Sequence, residues 1–487
     1  MQYQMIIKPS SCIGCPFYKH GQYFTPDKIV PNSKVLFIAQ NPGPDEEAGH
    51  KLIKRYWNGS QHFDEFEQVT PQPLIGATGQ LFDNRFLPLS GLKRSEVSVA
   101  NAIRCRPGHS LGLPSDTLPK LTTKMKLETS KADIVKALKH CRDTHLHIPH
   151  SVKLIVTMGR HAQFTMTGIQ NEESEYGHKQ GVIESWRGYA ADYSLKLGED
   201  RFNTLNTSVY NHLYSDVNIF FTMHIAALFK GQNSRYFHAT LQDFHKIKLL
   251  LQGNWPKPLP SWHASPPTQW PKYAAFDTEY IPDTNELIRW SLCDTNFNLF
   301  CVEAEDTPST YGYRIPIAPN STVLIQNALA DIAHLAQITD MSNIQIEDMM
   351  LADSVLWTGE PHNLNFIASK HGAFNRYKHL AHEEGQQQLY SALDAFEPMY
   401  MWKTHFIPEF KRDPQSWNVY KKYRLPLINI INKAQLTGVK LDSARLLEVQ
   451  HILQDKLSQL KETAKDITDD DNFNLAGSKQ MKRAIYG

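Results

Sequence analysis

The run Ala275-Phe276-Asp277-Thr278-Glu279-Tyr280 constrains this chain more than any other. An apolar lead into two carboxylates one residue apart reads as a strand. Strands alternate their side chains between faces, so Asp277 and Glu279 share one. Two acids side by side on a pleat repel each other. They are tolerable on a solvated edge, or around a hard divalent cation such as Mg²⁺ or Mn²⁺, which takes carboxylate oxygens. Taken alone, the pair favours a solvated edge.

Two later runs add to it. Leu324 to Asp331 passes from an apolar strand through Gln326-Asn327 into a helix that carries Asp331. Tyr390-Ser391-Ala392-Leu393-Asp394 falls in a helical pattern, with Tyr390 and Asp394 one turn apart on one face. Asp277, Glu279, Asp331 and Asp394 are thus four candidate ligands for two Mg²⁺ or Mn²⁺ ions, with Tyr390 beside them. Two ions so held activate a water and stabilise the leaving oxygen of a phosphodiester. In order and spacing these runs resemble the three motifs of the proofreading 3′–5′ exonuclease domain of family A DNA polymerases, and Asp348 to Asp353 fits the same pattern. The resemblance implies a ribonuclease-H-like α/β domain with a mixed sheet, catalytic roles for the four acids and Tyr390, a substrate contact at Asn327, and single-stranded 3′ ends of DNA as substrate.

The chain has 487 residues, room for about three domains. Its net charge of +1 excludes a global basic field, so any hold on DNA rests on local patches. No run of apolar residues is long enough for a membrane helix, and Met1-Gln2-Tyr3-Gln4 does not open a secretory leader, so no membrane partner is expected. Six cysteines in such a length predict thiols or metal ligands in a cytoplasmic protein rather than a disulfide framework.

The first 250 residues read as strands separated by helical patterns: Val35 to Ala39, Val97 to Ile103, Val152 to Gly159, and Ile219 to Met223. That alternation predicts a parallel sheet covered by helices. Open α/β sheets bind ligands beyond the carboxyl ends of their strands, where Gln40, Asn41, Asn101 and His224 fall. Cys12-Ile13-Gly14-Cys15-Pro16 is a CxxC signal, compatible with a redox pair, zinc or an iron–sulfur cluster.

Residues 8 to 250 resemble the uracil-DNA glycosylase superfamily, especially its iron–sulfur, family 4 branch. The resemblance rests on CIGCPFY, Pro73 to Gly79, Asn101 to Pro107, IVTMGRHA and TMHIAALFKG. It implies a three-layer α/β/α domain. Asn101 would read the base edge, Gln40 would lie at the substrate, Asn41 would hold the water, and His224 would donate toward the uracil oxygen. Cys12, Cys15, Cys105 and Cys141 would hold a 4Fe–4S cluster. On chemistry alone four thiolates suit zinc as well. Gln40 stands where the branch has an acid, Leu74 where it has a stacking Phe, and Ile225 where it has Pro. A basic, aromatic insertion runs from His50 to Thr70. An active glycosylase and a DNA-holding or structural domain therefore both stay open.

The predicted organisation is a glycosylase-like domain over 1–252, a proline-rich semi-rigid linker over 253–271, an exonuclease domain over 272–410, and a helical region over 411–487. Tyr423 to Ile431, Leu436 to Asp442 and Asn472 to Met481 resemble the start of a family A polymerase domain. No palm carboxylates follow. The resemblance therefore implies the N-terminal part of a replicative polymerase of phage type, acting in an infected bacterial cell with a separate polymerase subunit. The competing expectation is a stand-alone repair protein joining base removal to end trimming.

Overall fold

The computed structural model describes residues 6–18, 23–57, 62–106, 131–167, 171–173, 179–181, 186–192, 217–229, 231–306, 314–342 and 344–486, and the statements below concern those residues. Pro107 and Lys230, which fall in two motifs quoted above, and residues 58–61 of the insertion lie outside them.

Five strands form the first sheet: β1 (Val35–Ala39), β4 (Val97–Asn101), β5 (Leu154–Met158), β6 (Ala190–Asp192) and β7 (Asn218–Thr222). Their order is β4-β1-β5-β7-β6. The first four run parallel, and β6 closes one edge antiparallel to β7, so the predicted parallel sheet carries one reversed edge strand. All five residues of β1 are buried, because both faces of the sheet are covered. Val35, Phe37 and Ala39 pack into one cluster with Phe82, Phe86 and Phe244 of α4 (Phe237–Leu251). Leu36 and Ile38 pack into the other, with Leu138 and Cys141 of α2 (Lys131–His145) and Ala162 of α3 (Arg160–Thr167). This gives the three layers.

Residues 50–68 form a β-hairpin, β2 (His50–Trp57) paired with β3 (His62–Gln68). The insertion is not basic in its surface: Arg55 is paired with Asp64, and Lys51 with Glu67.

The second sheet is mixed. It contains β8 (Tyr273–Ile281), β9 (Glu286–Asp294), β10 (Leu299–Glu303), β11 (Ser321–Ile325) and β12 (Ile344–Asp348), in the order β10-β9-β8-β11-β12. The β8–β9–β10 part is antiparallel, and β8–β11–β12 is parallel. The acidic strand β8 is thus central, and a bulge between Glu279 and Tyr280 bends its carboxyl end. Helices α5 (Ala328–Ile338), α6 (Met349–Leu356), α7 (Leu364–His371) and α8 (Gln387–Met401) accompany this sheet. Cys293 and Cys301 are buried core thiols in it.

The proline-rich stretch is fastened at both ends. Trp255 is buried, packs on Phe220 of β7 and donates to the Gly372 carbonyl at 3.1 Å. Trp270 is buried against Phe276 and stacks on Trp290. Between the sheets lies a buried polar seam. Arg187 pairs with Asp243 and reaches Ser369, both ion-pair partners being almost fully buried. Lys246 donates to the carbonyls of Gly188, Ala368 and Ser369 at 3.0–3.2 Å.

Residues 1–426 form one compact unit and 427–487 a second. In the second, α9 (Ser443–Thr468) is capped by Asp442, whose carboxylate accepts from the Arg445 amide at 2.9 Å, and none of its residues is buried.

Asp243 neutralises an otherwise unpaired buried guanidinium. Asp243→Ala should destabilise the 1–426 unit by about 3–5 kcal/mol. The check is a urea unfolding curve followed by tryptophan fluorescence.

Candidate functional sites

Three carboxylates converge in the second sheet. Asp277 and Glu279 come from one face of β8, and Asp394 from α8. Oxygens of all three lie within 4.8 Å of one another. Ser391 of α8 holds Ser291 of β9 at 2.8 Å, and Gln388 donates to Glu303 of β10 at 2.8 Å. These bonds fix the helix against the sheet and so set where Asp394 points. Ser291 sits opposite Asp277 in the ladder.

Asp331 is near but not in this trio. It accepts from the amide of Thr278 at 3.1 Å and from the Thr278 hydroxyl. Thr278 alternates to the other face of the pleat from Asp277 and Glu279, so these bonds hold the Asp331 carboxylate to one side. Asn327 is exposed at the turn into α5, with φ +65°, a left-handed backbone that asparagine tolerates. Asp348 accepts from the amides of Leu351 and Ala328 at 2.9 and 2.8 Å, and Asp353 pairs with Lys370 and His362. Both of these acids are structural.

Crowding shows in the protonation of the acids. Burial first, then repulsion from Asp394, raises Asp277 well above the usual carboxylate range. The same two causes lift Glu279 to about 7, and burial lifts Asp331 to about 7. Asp394 has two donors: Tyr377 at 2.7 Å and Lys378 at 2.5 Å. Lys378 also donates to the Tyr390 hydroxyl at 3.2 Å and lies over its ring. Sequence reading named Tyr390 and Asp394 but missed Tyr377 and Lys378. The basic and aromatic run Arg376-Tyr377-Lys378, twelve residues before Tyr390, was the available signal.

In the first sheet, the predicted residues gather at the carboxyl ends of the parallel strands. Gln40 and Asn41 follow β1, Asn101 ends β4, and His224 follows β7. Asn101 is fully buried, and neither atom of its amide has a hydrogen-bond partner among the described residues. An unpaired buried amide is costly, so this one is suited to a ligand. The Ala226 amide donates to His224 Nδ1 at 3.2 Å, which puts the ring proton of the neutral form on Nε2. Gly159 has φ +84°, and a Cβ there would lie 2.9 Å from that of His224. Asn41 turns its amide to the Pro42 carbonyl at 3.0 Å. A residue the sequence did not single out ties this loop down. Glu46, pushed up to about 7 by burial, accepts from the amides of Gly43 at 3.1 Å and Leu74 at 2.9 Å. Leu74, at φ +54°, is held in a conformation unusual for a branched side chain.

Cys12, Cys15, Cys105 and Cys141 are all buried and line one cavity with Lys8, Tyr18, Phe24 and Arg104. Cys12 Sγ is 3.2 Å from Nε2 of His145, which lies one helical turn after Cys141 on α2. Burial pushes the Cys12 thiol up to about 11 and the Cys105 thiol up to about 12. Thiols raised in this way by burial mark a poorly solvated pocket. Four thiolates brought to one cavity suit zinc or an iron–sulfur cluster.

Residues 26–245 match the sequence profile of the uracil DNA glycosylase superfamily. The type-4 uracil-DNA glycosylase of Sulfurisphaera tokodaii is 22% identical over 240 residues, covering 49% of this chain and 80% of the relative. That of Archaeoglobus fulgidus is 24% identical over 204 residues, covering 39% and 82%. Among solved structures, Brucella melitensis NrnC with bound Mg²⁺ has a TM-score of 0.27 at 16% identity, covering 35% of this chain and 90% of that one. Escherichia coli RNase D, an exoribonuclease involved in structured RNA processing, has 0.25 at 12%, covering 34% and 45%. The POL domain of Pol1 from M. smegmatis in complex with DNA primer-template has 0.31 at 14%, covering 44% and 36%. No described helix is long and apolar enough to cross a membrane.

Without a cation, Glu279 and Asp331 hold protons in the fold up to about pH 7. In the unfolded chain they release them near 4. The fold therefore binds more protons in that interval, and metal-free stability falls as pH rises from about 4 to about 7. A divalent ion replaces those protons. The rise in melting temperature on adding Mn²⁺ should accordingly be larger at pH 8 than at pH 6, and its absence at pH 8 would remove the cation from the site.

Proposed function

We propose that this chain is a DNA-processing enzyme whose second sheet carries a metal-dependent 3′–5′ exonuclease. The observation that carries the reading is the trio of half-buried Asp277 and Glu279 with buried Asp394, whose mutual repulsion leaves a place for a cation. Mg²⁺ or Mn²⁺ would be held by these acids, with Asp331 toward a second ion, and would supply a nucleophilic water and charge stabilisation at the leaving oxygen. The chain's own part is positional. The strand face fixes Asp277 and Glu279, Ser391 and Gln388 hold α8 so that Asp394 meets them, and Tyr390 presents a hydroxyl to the attacking water. Asn327, at the rim, would contact the terminal nucleotide. The resemblance of Tyr423 to Asp442 and Asn472 to Met481 to the start of a family A polymerase domain supports a proofreading role in replication.

Asp277→Ala should lower degradation of a 3′-labelled single strand in Mg²⁺ by at least about a thousandfold, since several kcal/mol of charge stabilisation go with the ligand. Circular dichroism should stay unchanged. Degradation that survives Asp277→Ala combined with Asp394→Ala, or that persists in excess chelator, would sink the reading.

A second activity is favoured by the superfamily match over 26–245 and by the unpartnered Asn101 amide. In the glycosylase-like domain, Asn101 would take the edge of a flipped uracil and Gln40 would lie beside it. Asn41 would hold the water, and His224 would donate from Nε2 toward the base oxygen. Cys12, Cys15, Cys105 and Cys141 would hold a 4Fe–4S cluster as a structural group. Protein purified without oxygen should be brown, and Cys12→Ser should bleach it. Uracil-containing single strands should gain abasic sites, and His224→Ala should stop this. Zinc in place of iron, or no uracil release from brown protein, would leave a structural domain.

A further inference from the structure

The segment Gly372–Lys378 belongs to the second sheet's domain, but it also reaches the first. Asn375 accepts the Ala190 amide at 3.0 Å and donates to the Ala190 carbonyl, so it pairs with edge strand β6 as a further strand would. Arg376 lies over the ring of Trp186, 4.6 Å from its centroid. The Lys257 amide donates to Ala373 at 2.8 Å, and Trp255 donates to Gly372. On the other side, Ala373 and Phe374 donate to the fully buried Glu397 of α8, both at 2.9 Å. The next two residues, Tyr377 and Lys378, are those that grip Asp394 and Tyr390.

We propose that this segment is a strap through which the glycosylase-like domain sets the exonuclease site. Tyr377 and Lys378 are positioning residues, and their placement depends on Asn375 and Arg376 being anchored on Ala190 and Trp186. The inference rests on the exonuclease reading above. Its physical content is a division of labour at Asp394. Oδ1 of Asp394 takes the Tyr377 hydroxyl and Oδ2 the Lys378 ammonium, which fixes the rotamer, and the ammonium also orients the Tyr390 hydroxyl. Lys378 stays a fixed cation beside an anionic trio, so its position decides how Asp394 and Tyr390 present themselves. Among the described residues that approach the Lys378 ammonium, the tyrosines and Asp394 come from the exonuclease domain itself. Strap anchoring from the first domain is what limits the freedom of the segment that carries it. This gives the glycosylase-like domain a task that does not depend on whether it excises a base.

The test is a double-mutant cycle on the full chain, with single-turnover degradation of a 3′-labelled strand in Mg²⁺. Lys378→Ala should lower the rate by about a hundredfold, the cost of misplacing a reacting group. Lys378→Arg should restore most of it. Asn375→Ala, and separately Arg376→Gln, should lower the rate roughly threefold to thirtyfold with little change in KM. Arg376→Gln leaves no buried backbone group unpaired, so it guards against a folding defect in Asn375→Ala. Combined with Lys378→Ala, either strap variant should add almost nothing, because the path it acts through is gone. Strap variants that act at full rate, or whose losses multiply with that of Lys378→Ala, overturn the inference and leave the exonuclease reading intact. A wild-type chain without metal-dependent degradation overturns the exonuclease reading, and the strap with it.

Discussion

Like charges held close in a poorly solvated place must find a counter-charge, and much of this chain is arranged around that requirement. Asp277, Glu279 and Asp394 lie within reach of one ion. Strand β8 that supplies two of them sits at the centre of its sheet, so its backbone is fixed by hydrogen bonds on both sides. The helix that supplies the third is fixed by serine and glutamine contacts to the neighbouring strands. Rigid elements on either side mean that the repulsion is not relieved by moving apart. It is relieved by protonation, by Lys378 at one edge, or by an ion.

Much of this was readable from residues alone, for definite reasons. Alternation put Asp277 and Glu279 on one face, and the helical turn put Tyr390 under Asp394, because strand and helix periods act locally. The core strands were recognisable because they are buried on both faces and so read as unbroken apolar runs. What stayed hidden was set by partners far off in sequence. Nothing local tells that Asp331 will bond Thr278 rather than join the trio. The reversal of the edge strand Ala190–Asp192 depends on its pairing with Asn218–Thr222. The insertion read as basic because its lysines and arginine are counted before their cross-strand acids are paired with them.

In the first domain the same logic runs through hydrogen bonding rather than charge. Glu46 holds two loops by their amides, Gly159 leaves room for His224, and Asn101 is left with its amide unused. Among the described residues Asn101, at the carboxyl end of its strand, keeps both amide atoms without a hydrogen bond, a place suited to a ligand. Four buried thiols line one cavity in the same domain.

The two tryptophans that fasten the proline-rich stretch, with the Arg187–Asp243 and Lys246 seam beside them, bear on how such a chain can change over generations. A loose tether lets either domain be exchanged, lost or borrowed without harm to its neighbour. Here each domain completes the other's buried polar groups. A substitution at the seam is therefore inherited well only alongside its partner across it. The two halves drift as a matched pair, and recombination that separates them strips Lys246 of the carbonyl partners it finds on the second domain's helix.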